Sequence, residues 1–365
     1  MKKTENFYTE FDWKKILSMN PPRKFNIDDY HRILSPEFPE FLRKYTELPV
    51  LKRLSGIGLL CGTDWTPLYR NRFFYSRLDH SIGVALIIWH FTNDMIQTLS
   101  GLLHDVSTPV FSHVTDFRKG DALRQEATET KNSSIIMRNR ELAEMLEQDG
   151  ILPEQVADYH KFPLADNEIP RLSADRLEYM FPSGAALYGE WTADEIRSVY
   201  DDIIIMQNED GLPELGFASR EKAFAYCKKF CMTGHILQLN ENKLALQLLG
   251  EIMNLAVKEK ILSEDDFMKC SEAHIISALD GKGTAELRSL FRTFRTMGKI
   301  LHTEKPLPGH FCVNLNVKQR FINPLVTEKG GTHRISEIMP EAAALLHDFR
   351  TFSDTKFGCV PLAEP

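Results

Sequence analysis

Apolar residues recur at helical spacing along most of this chain, and the candidate elements follow from that pattern. Residues 48–60, LPVLKRLSGIGLL, form a first helical stretch that ends near Gly62. Residues 79–106, DHSIGVALIIWHFTNDMIQTLSGLLHDV, are apolar nearly all round, which predicts one or two buried helices. Residues 133–150, SSIIMRNRELAEMLEQDG, are amphipathic, start at a serine pair and stop at Gly150, a residue suited to a left-handed C-terminal cap. Residues 173–181, SADRLEYMF, open with Ser173 as N-cap and are expected to end before Pro182. Two longer amphipathic helices are predicted over 219–238 and 242–262. After Pro306 the texture changes, and HFCVNLNVKQRFINPLV (310–326) alternates in a way that suits one or two strands. The pattern predicts a mainly α protein with a small α+β C-terminal region. Its divisions are an N-terminal helical extension (1–47), a core (48–216), a helical continuation packing on that core (217–305) and the C-terminal part (306–365).

Composition changes this picture little. The chain has 365 residues, 43% hydrophobic and 26% charged, enough to bury a large core. A formal net charge of −7 and the lack of a basic stripe argue against nucleic acid as the main partner. No apolar run is long enough to span a bilayer, and residues 1–12 lack the apolar stretch of a signal peptide. The six cysteines form no CxxC pair, and Cys227 and Cys231, one turn apart, read as packing. A reduced, cytoplasmic setting is the expectation.

Histidines and carboxylates change it more. Two His-Asp dipeptides occur, His104-Asp105 and His347-Asp348, both after Leu-Leu, where composition alone gives about one by chance. The first has company. His80 begins the preceding apolar run, and antiparallel packing of two helices would set it beside His104 and Asp105; Asp175, in the capped helix, adds a second carboxylate. Two imidazoles and two carboxylates suit Mn, Fe, Ni, Zn or Mg with open positions, and burial in apolar helices favours ligation over isolated ionisable groups. His347-Asp348 reads as the polar face of an amphipathic helix, and His90 as a core histidine. His160 is expected on a loop before the Asp175 helix. Lys318 and Arg320 read as a solvated strand face, although an anion site would use the same residues.

The order His80, His104-Asp105, Asp175 resembles the HD superfamily of metal-dependent phosphohydrolases. RLDHSIGVA (77–85), HDVSTPVFSH (104–113) and DRLEYMF (175–181) are similar to motifs of its deoxynucleoside triphosphate triphosphohydrolases. The resemblance implies an HD-domain helical body with a divalent metal on His80, His104, Asp105 and Asp175. It also implies phosphate contacts from Arg77 and His113, Tyr179 lining the substrate pocket, and Asp116 orienting a neighbouring histidine. A homo-oligomer is a further expectation, since members of that group often assemble.

The pattern departs from that group at Ser107 and Thr108, where it has Gly-His, and at Gln125-Glu126, where it has His-Glu. A general acid or base contributes about 10²–10⁴ in rate, roughly 3–5 kcal/mol. Thr108 can hydrogen-bond a phosphate or a metal-held water but does not titrate near neutrality, which leaves Glu126 as the best candidate for proton transfer and His160 as a more distant one, with Asp105 on the metal. The expected activity is hydrolysis of a nucleotide or other small phosphate ester by attack of metal-held water on phosphorus. The alternative is a weakened module that binds metal and nucleotide as a sensor.

Overall fold

The computed structural model describes residues 25–123, 131–189 and 191–365. Helices α1 (Ile27–Leu34) and α2 (Glu40–Thr46) lead into the core through the buried Tyr30 and Tyr45. The long apolar run resolves into two helices, α3 (Arg77–Thr92) and α4 (Met95–Leu103). Ser76 starts α3 with a capping box: its hydroxyl accepts from the Asp79 amide at 3.1 Å, and its own amide donates to the Asp79 carboxylate at 3.1 Å. Asn93, at φ 50°, ends α3 in the left-handed region, and Asp94 caps α4 by accepting from Ile96 and Gln97. The two helices lie antiparallel: Gly101 sits against Ile88 and Val84 so closely that a Cβ there would collide with Ile88.

Short α5 (Val114–Arg118) follows the His-Asp loop. The predicted single helix over 133–150 is instead two, α6 (Asn132–Arg138) and α7 (Arg140–Gln148). Asn139 is extended between them, and its side chain accepts from the Leu142 amide at 2.9 Å, so the residue acts as a cap rather than a helix interior position. The helix expected to end before Pro182 also differs, because α8 runs Ala174–Tyr188. Proline removes the N–H that would bond the carbonyl four residues back. Here that carbonyl belongs to Glu178, and the Tyr30 hydroxyl donates to it at 3.3 Å, so the proline leaves no unpaired acceptor.

After α9 (Ala193–Tyr200) comes a hairpin that the periodicity does not predict, β1 (Ile203–Gln207) and β2 (Pro213–Phe217). Then follow α10 (Arg220–Gln238), α11 (Asn240–Lys258), α12 (Glu272–Leu279) and α13 (Ala285–Thr296). A strand, β3 (Leu301–Thr303), ends the segment predicted as a helical continuation, and the C-terminal part adds β4 (His310–Val313), β5 (Leu325–Glu328), β6 (Gly331–Arg334), α14 (Pro340–Thr351) and β7 (Phe357–Pro361). One sheet has order β1-β2-β5-β6, with β2 and β5 parallel; the other is β3-β7-β4, all antiparallel. Residues 314–324 carry no strand.

One hydrophobic cluster runs from Tyr30 to Val360 through all four segments that the sequence pattern separates. Arg334 of β6 grips the fully buried Glu214 of β2 with both Nη atoms, at 2.6 and 2.9 Å, and Glu214 accepts from the Leu172 amide at 3.1 Å. The sheet is thereby tied to the chain just before α8. Cys312 and Cys359 face each other in the β4–β7 register, Cα atoms 4.1 Å apart, and are joined as a disulfide. All six cysteines had been expected reduced; the pairing depends on a strand contact across 47 residues, which spacing does not reveal. His90 is another correction, lying exposed in the last turn of α3 against Phe91 and Tyr200 rather than in the core. Among the described residues, no helix is long and apolar enough to cross a membrane.

Candidate metal centre

The α3–α4 hairpin carries His80 and His104 to one point, and α8 brings Asp175 to it. His80 Nδ1 donates to the Glu178 carboxylate at 2.5 Å, and His104 Nδ1 donates to the Gly101 carbonyl at 2.7 Å. With both Nδ1 protons so committed, both Nε2 atoms present lone pairs, and they face each other at 3.2 Å. Asp175 Oδ1 lies 3.1 Å from His80 Nε2 and 3.6 Å from His104 Nε2, and Asp105 Oδ2 lies 3.7 Å from each. His80, His104 and Asp105 thus form one close set with Asp175 Oδ1 beside the two imidazoles, an arrangement that a bound cation or a proton on an imidazole Nε2 stabilises. Bonds of about 2.0–2.2 Å set octahedral cis donors roughly 2.8–3.1 Å apart and tetrahedral donors roughly 3.3–3.6 Å apart, close to the 3.1–3.7 Å found here. The donor set therefore fits a divalent ion, with N/O ligands suited to Mn, Fe, Ni, Zn or Mg.

The same crowding shows in the protonation equilibria. Burial pushes the His80 imidazole down, but the Glu178 and Asp175 carboxylates outweigh it and bring it up to about 10. His104 is raised too, against burial, by Asp105 and Asp175. Burial would raise the Asp105 carboxyl, yet Arg77 and the two histidines hold it well below the ordinary range.

Arg77 is buried and donates from Nη1 to Asp105 at 2.7 Å and from Nε to Ser112 at 3.1 Å. Thr108 donates to the other Asp105 oxygen at 2.7 Å, so the carboxylate is held on both sides. His113 Nδ1 donates to the fully buried Asp116 at 2.9 Å. These residues and Tyr179 lie around one cavity, except Asp116, which stands behind His113. Glu126 lies outside the described residues. His160 is half exposed beside Tyr159, its Nδ1 3.6 Å from Asp166, and is not on the cavity wall. His347 is exposed on α14 and takes no part.

Glu178 is the residue that sequence reading missed. It is fully buried, accepts from His80 and from the Tyr75 hydroxyl at 2.6 Å, and so fixes which His80 nitrogen faces the cluster. A Cβ at position 83 would stand 2.5 Å from its carboxylate, so Gly83, one turn after His80, makes the space for it. A signal existed: Glu178 is three residues after Asp175 and therefore on the same helix face. Among the described residues a second His/carboxylate group occurs at Glu241, His302 and Asp354. There the ring uses opposite nitrogens, Nε2 to Glu241 at 3.0 Å and Nδ1 to Asp354 at 3.3 Å, so it is an ion-pair clasp between two carboxylates rather than a convergent ligand set.

No family model matches the chain. In sequence it is similar to the Bacillus subtilis protein YdhJ, 24% identical over 264 residues, covering 71% of this chain and 76% of that protein. It is also similar to the metal-dependent phosphohydrolase cns2 of Cordyceps militaris, 25% identical over 131 residues, 35% of this chain and 36% of that protein. In fold it matches a solved hypothetical protein from Aquifex aeolicus with a TM-score of 0.60 at 17% identity, over 88% of this chain and 92% of that one. A solved phosphohydrolase from Bacteroides thetaiotaomicron VPI-5482 gives a TM-score of 0.56 at 13% identity, over 90% and 97%. The chain therefore shares its overall fold with these two solved proteins across most of its length.

Proposed function

We propose that this protein is an HD-type, metal-dependent phosphohydrolase acting on a nucleotide or other small phosphate ester. The observation that carries the reading is the clustering of His80 Nε2, His104 Nε2 and Asp105 on a cavity wall, with Asp175 Oδ1 3.1 Å from His80 Nε2. The similarity to proteins named as phosphohydrolases supports it. A divalent ion held there would supply charge for a phosphoryl oxygen and lower the pKa of a water. Arg77 and Thr108 fix the Asp105 carboxylate. Asp116 holds His113 so that its Nε2 faces the cavity and accepts from Arg320 at 3.4 Å, and the ring would contact a phosphate oxygen on taking a second proton. Tyr179 contributes an aromatic wall. With Asp105 and Asp175 assigned to the ion, Asp166 is the remaining carboxylate among the described lining residues, and burial raises its pKa, which suits a proton acceptor.

The test is phosphate release from a panel of phosphomonoesters and nucleotides, with Mn, Fe, Ni, Co, Zn and Mg supplied in turn. Turnover of at least one compound is expected, lost in Asp105→Ala while the melting transition survives. A metal-loaded protein that releases phosphate from nothing in the panel would overturn the proposal.

A further inference from the structure

Lys318 and Arg320, which the sequence pattern assigns to a solvated strand face, are not on a strand. Both line the cavity that holds the candidate metal centre. Their segment is pinned on either side. Val317 and Ile322 are buried, the Lys318 amide donates to the Ala122 carbonyl at 3.3 Å, and the Asn323 amide donates to the Pro170 carbonyl at 2.8 Å. Between them, Gln319 donates to Gln238 and to the Arg350 carbonyl, each at 3.1 Å. On α10, Gly234 gives room to the Arg320 carbonyl, which a Cβ there would strike.

The side chain is aimed as well. Arg320 Nη2 lies 3.4 Å from His113 Nε2, and His113 is itself held by buried Asp116. The wall carries two other cations, each with its own partners. Arg77 donates to Asp105 and Ser112, and Arg176 to Asp166, Asn167 and the Arg171 carbonyl. We propose that Lys318 and Arg320 form an anion-binding pair, supplied by the C-terminal part, that takes a second anionic group of the substrate beyond the phosphoryl group at the metal cluster. Resting on the hydrolase reading above, this narrows the substrate class to phosphate compounds with two or more anionic groups. It also gives the C-terminal part a role in specificity, since the metal-site motifs contain neither residue.

The experiment is calorimetric titration of metal-loaded protein with inorganic pyrophosphate and with orthophosphate, metal content being measured after each titration. Charge-assisted hydrogen bonds from two cations predict pyrophosphate binding about tenfold to a hundredfold more tightly than orthophosphate. The double variant K318Q/R320Q is expected to erase that excess while its orthophosphate affinity and melting temperature stay near wild type, and R320K is expected to retain part of it. An unchanged pyrophosphate affinity in the double variant, or an equal loss for both ligands, would overturn the pair as a second subsite. Binding that follows this pattern with no turnover of any phosphoester would remove the hydrolase reading alone. Turnover with unchanged pyrophosphate affinity in the double variant would remove the anion pair alone.

Discussion

Replacing Glu178 with glutamine tests the role of the carboxylate behind His80 most directly. The substitution is nearly isosteric in a site where the side chain is fully buried and Gly83 leaves no spare room. The single amide oxygen can still accept from His80 Nδ1. Tyr75 can then accept from the amide, but its own proton loses its acceptor, because His31 Nε2 already donates to the Asp79 carbonyl at 3.2 Å. Orientation is thus preserved and the negative charge is lost. A 2.5 Å contact, the imidazole ring and a metal–nitrogen bond place that charge about 6.5 Å from a bound ion. At an effective dielectric of about 20, attraction to a divalent ion would be roughly 5 kcal/mol, an upper bound before solvent screening. Losses measured for such supporting carboxylates are about 10–100-fold, or ~1.4–2.7 kcal/mol. We therefore expect Glu178→Gln to weaken divalent-metal binding by one to two orders of magnitude in competition with a chromogenic chelator. The melting temperature of the metal-free protein should fall modestly, since His80 loses a counter-charge and Tyr75 an acceptor, with the cooperative transition retained. An affinity within about twofold of wild type, in a folded variant, would refute the reasoning.

Three further outcomes concern stability. Glu272 is fully buried, and burial pushes its pKa up to about 7 despite bonds from Trp65 Nε1 and the Gly58 amide. A carboxyl whose folded pKa is raised binds its proton more tightly when folded, so its contribution is full below about pH 4.5 and is lost as pH rises through 7. Glu272→Gln removes the titration but sets its NH2 against one of the two N–H donors, a pH-independent cost; its stability relative to wild type in denaturant unfolding should therefore rise by up to about 3 kcal/mol between pH 4.5 and pH 8; a flat difference would contradict this. Arg334→Ala strands the buried Glu214 carboxylate and should cost about 3–5 kcal/mol by the same assay, with Arg334→Met/Glu214→Gln recovering much of it. Tyr30→Phe removes the donor to the Glu178 carbonyl and should cost about 1–2 kcal/mol; in a Pro182→Ala background, where a backbone N–H can serve that carbonyl, the cost should shrink measurably.

The parts of the fold that could be read from the sequence are those set within a few residues. Ser173 marks a helix start because its hydroxyl oxygen meets an amide three positions along the same chain; the structure adds the caps Ser76 and Asp94, which divide the apolar run into α3 and α4. The apolar runs mark helices because burial acts on a 3.6-residue period. The spacing of His80, His104 and Asp105 picks out residues that the fold then gathers, with side-chain atoms 3.2–3.7 Å apart, because a tight turn at Asn93 folds α3 back on α4, and α8 sets Asp175 beside the two histidines. Motif likeness supplied the link to Asp175, which helix periodicity alone does not join to the hairpin.

What tertiary structure decided lies wherever a residue's state depends on a partner far along the chain. Pro182 stays inside α8 because Tyr30, from a helix 150 residues earlier, satisfies the freed carbonyl. Cys312 meets Cys359 only through a strand register. The β1–β2 hairpin becomes half of a sheet through its parallel contact with β5. Glu178 was placed on the right face by periodicity, but only the approach of α3, with Gly83 at the contact, turns it from a helix surface carboxylate into the group that orients His80. Lys318 and Arg320 look in sequence like alternating polar positions on a strand, and buried Val317 and Ile322 instead carry them to the wall of a cavity built by helices. Local order can be read in sequence because each residue chooses among a few backbone states; the choice of which faces meet depends on packing the whole core at once.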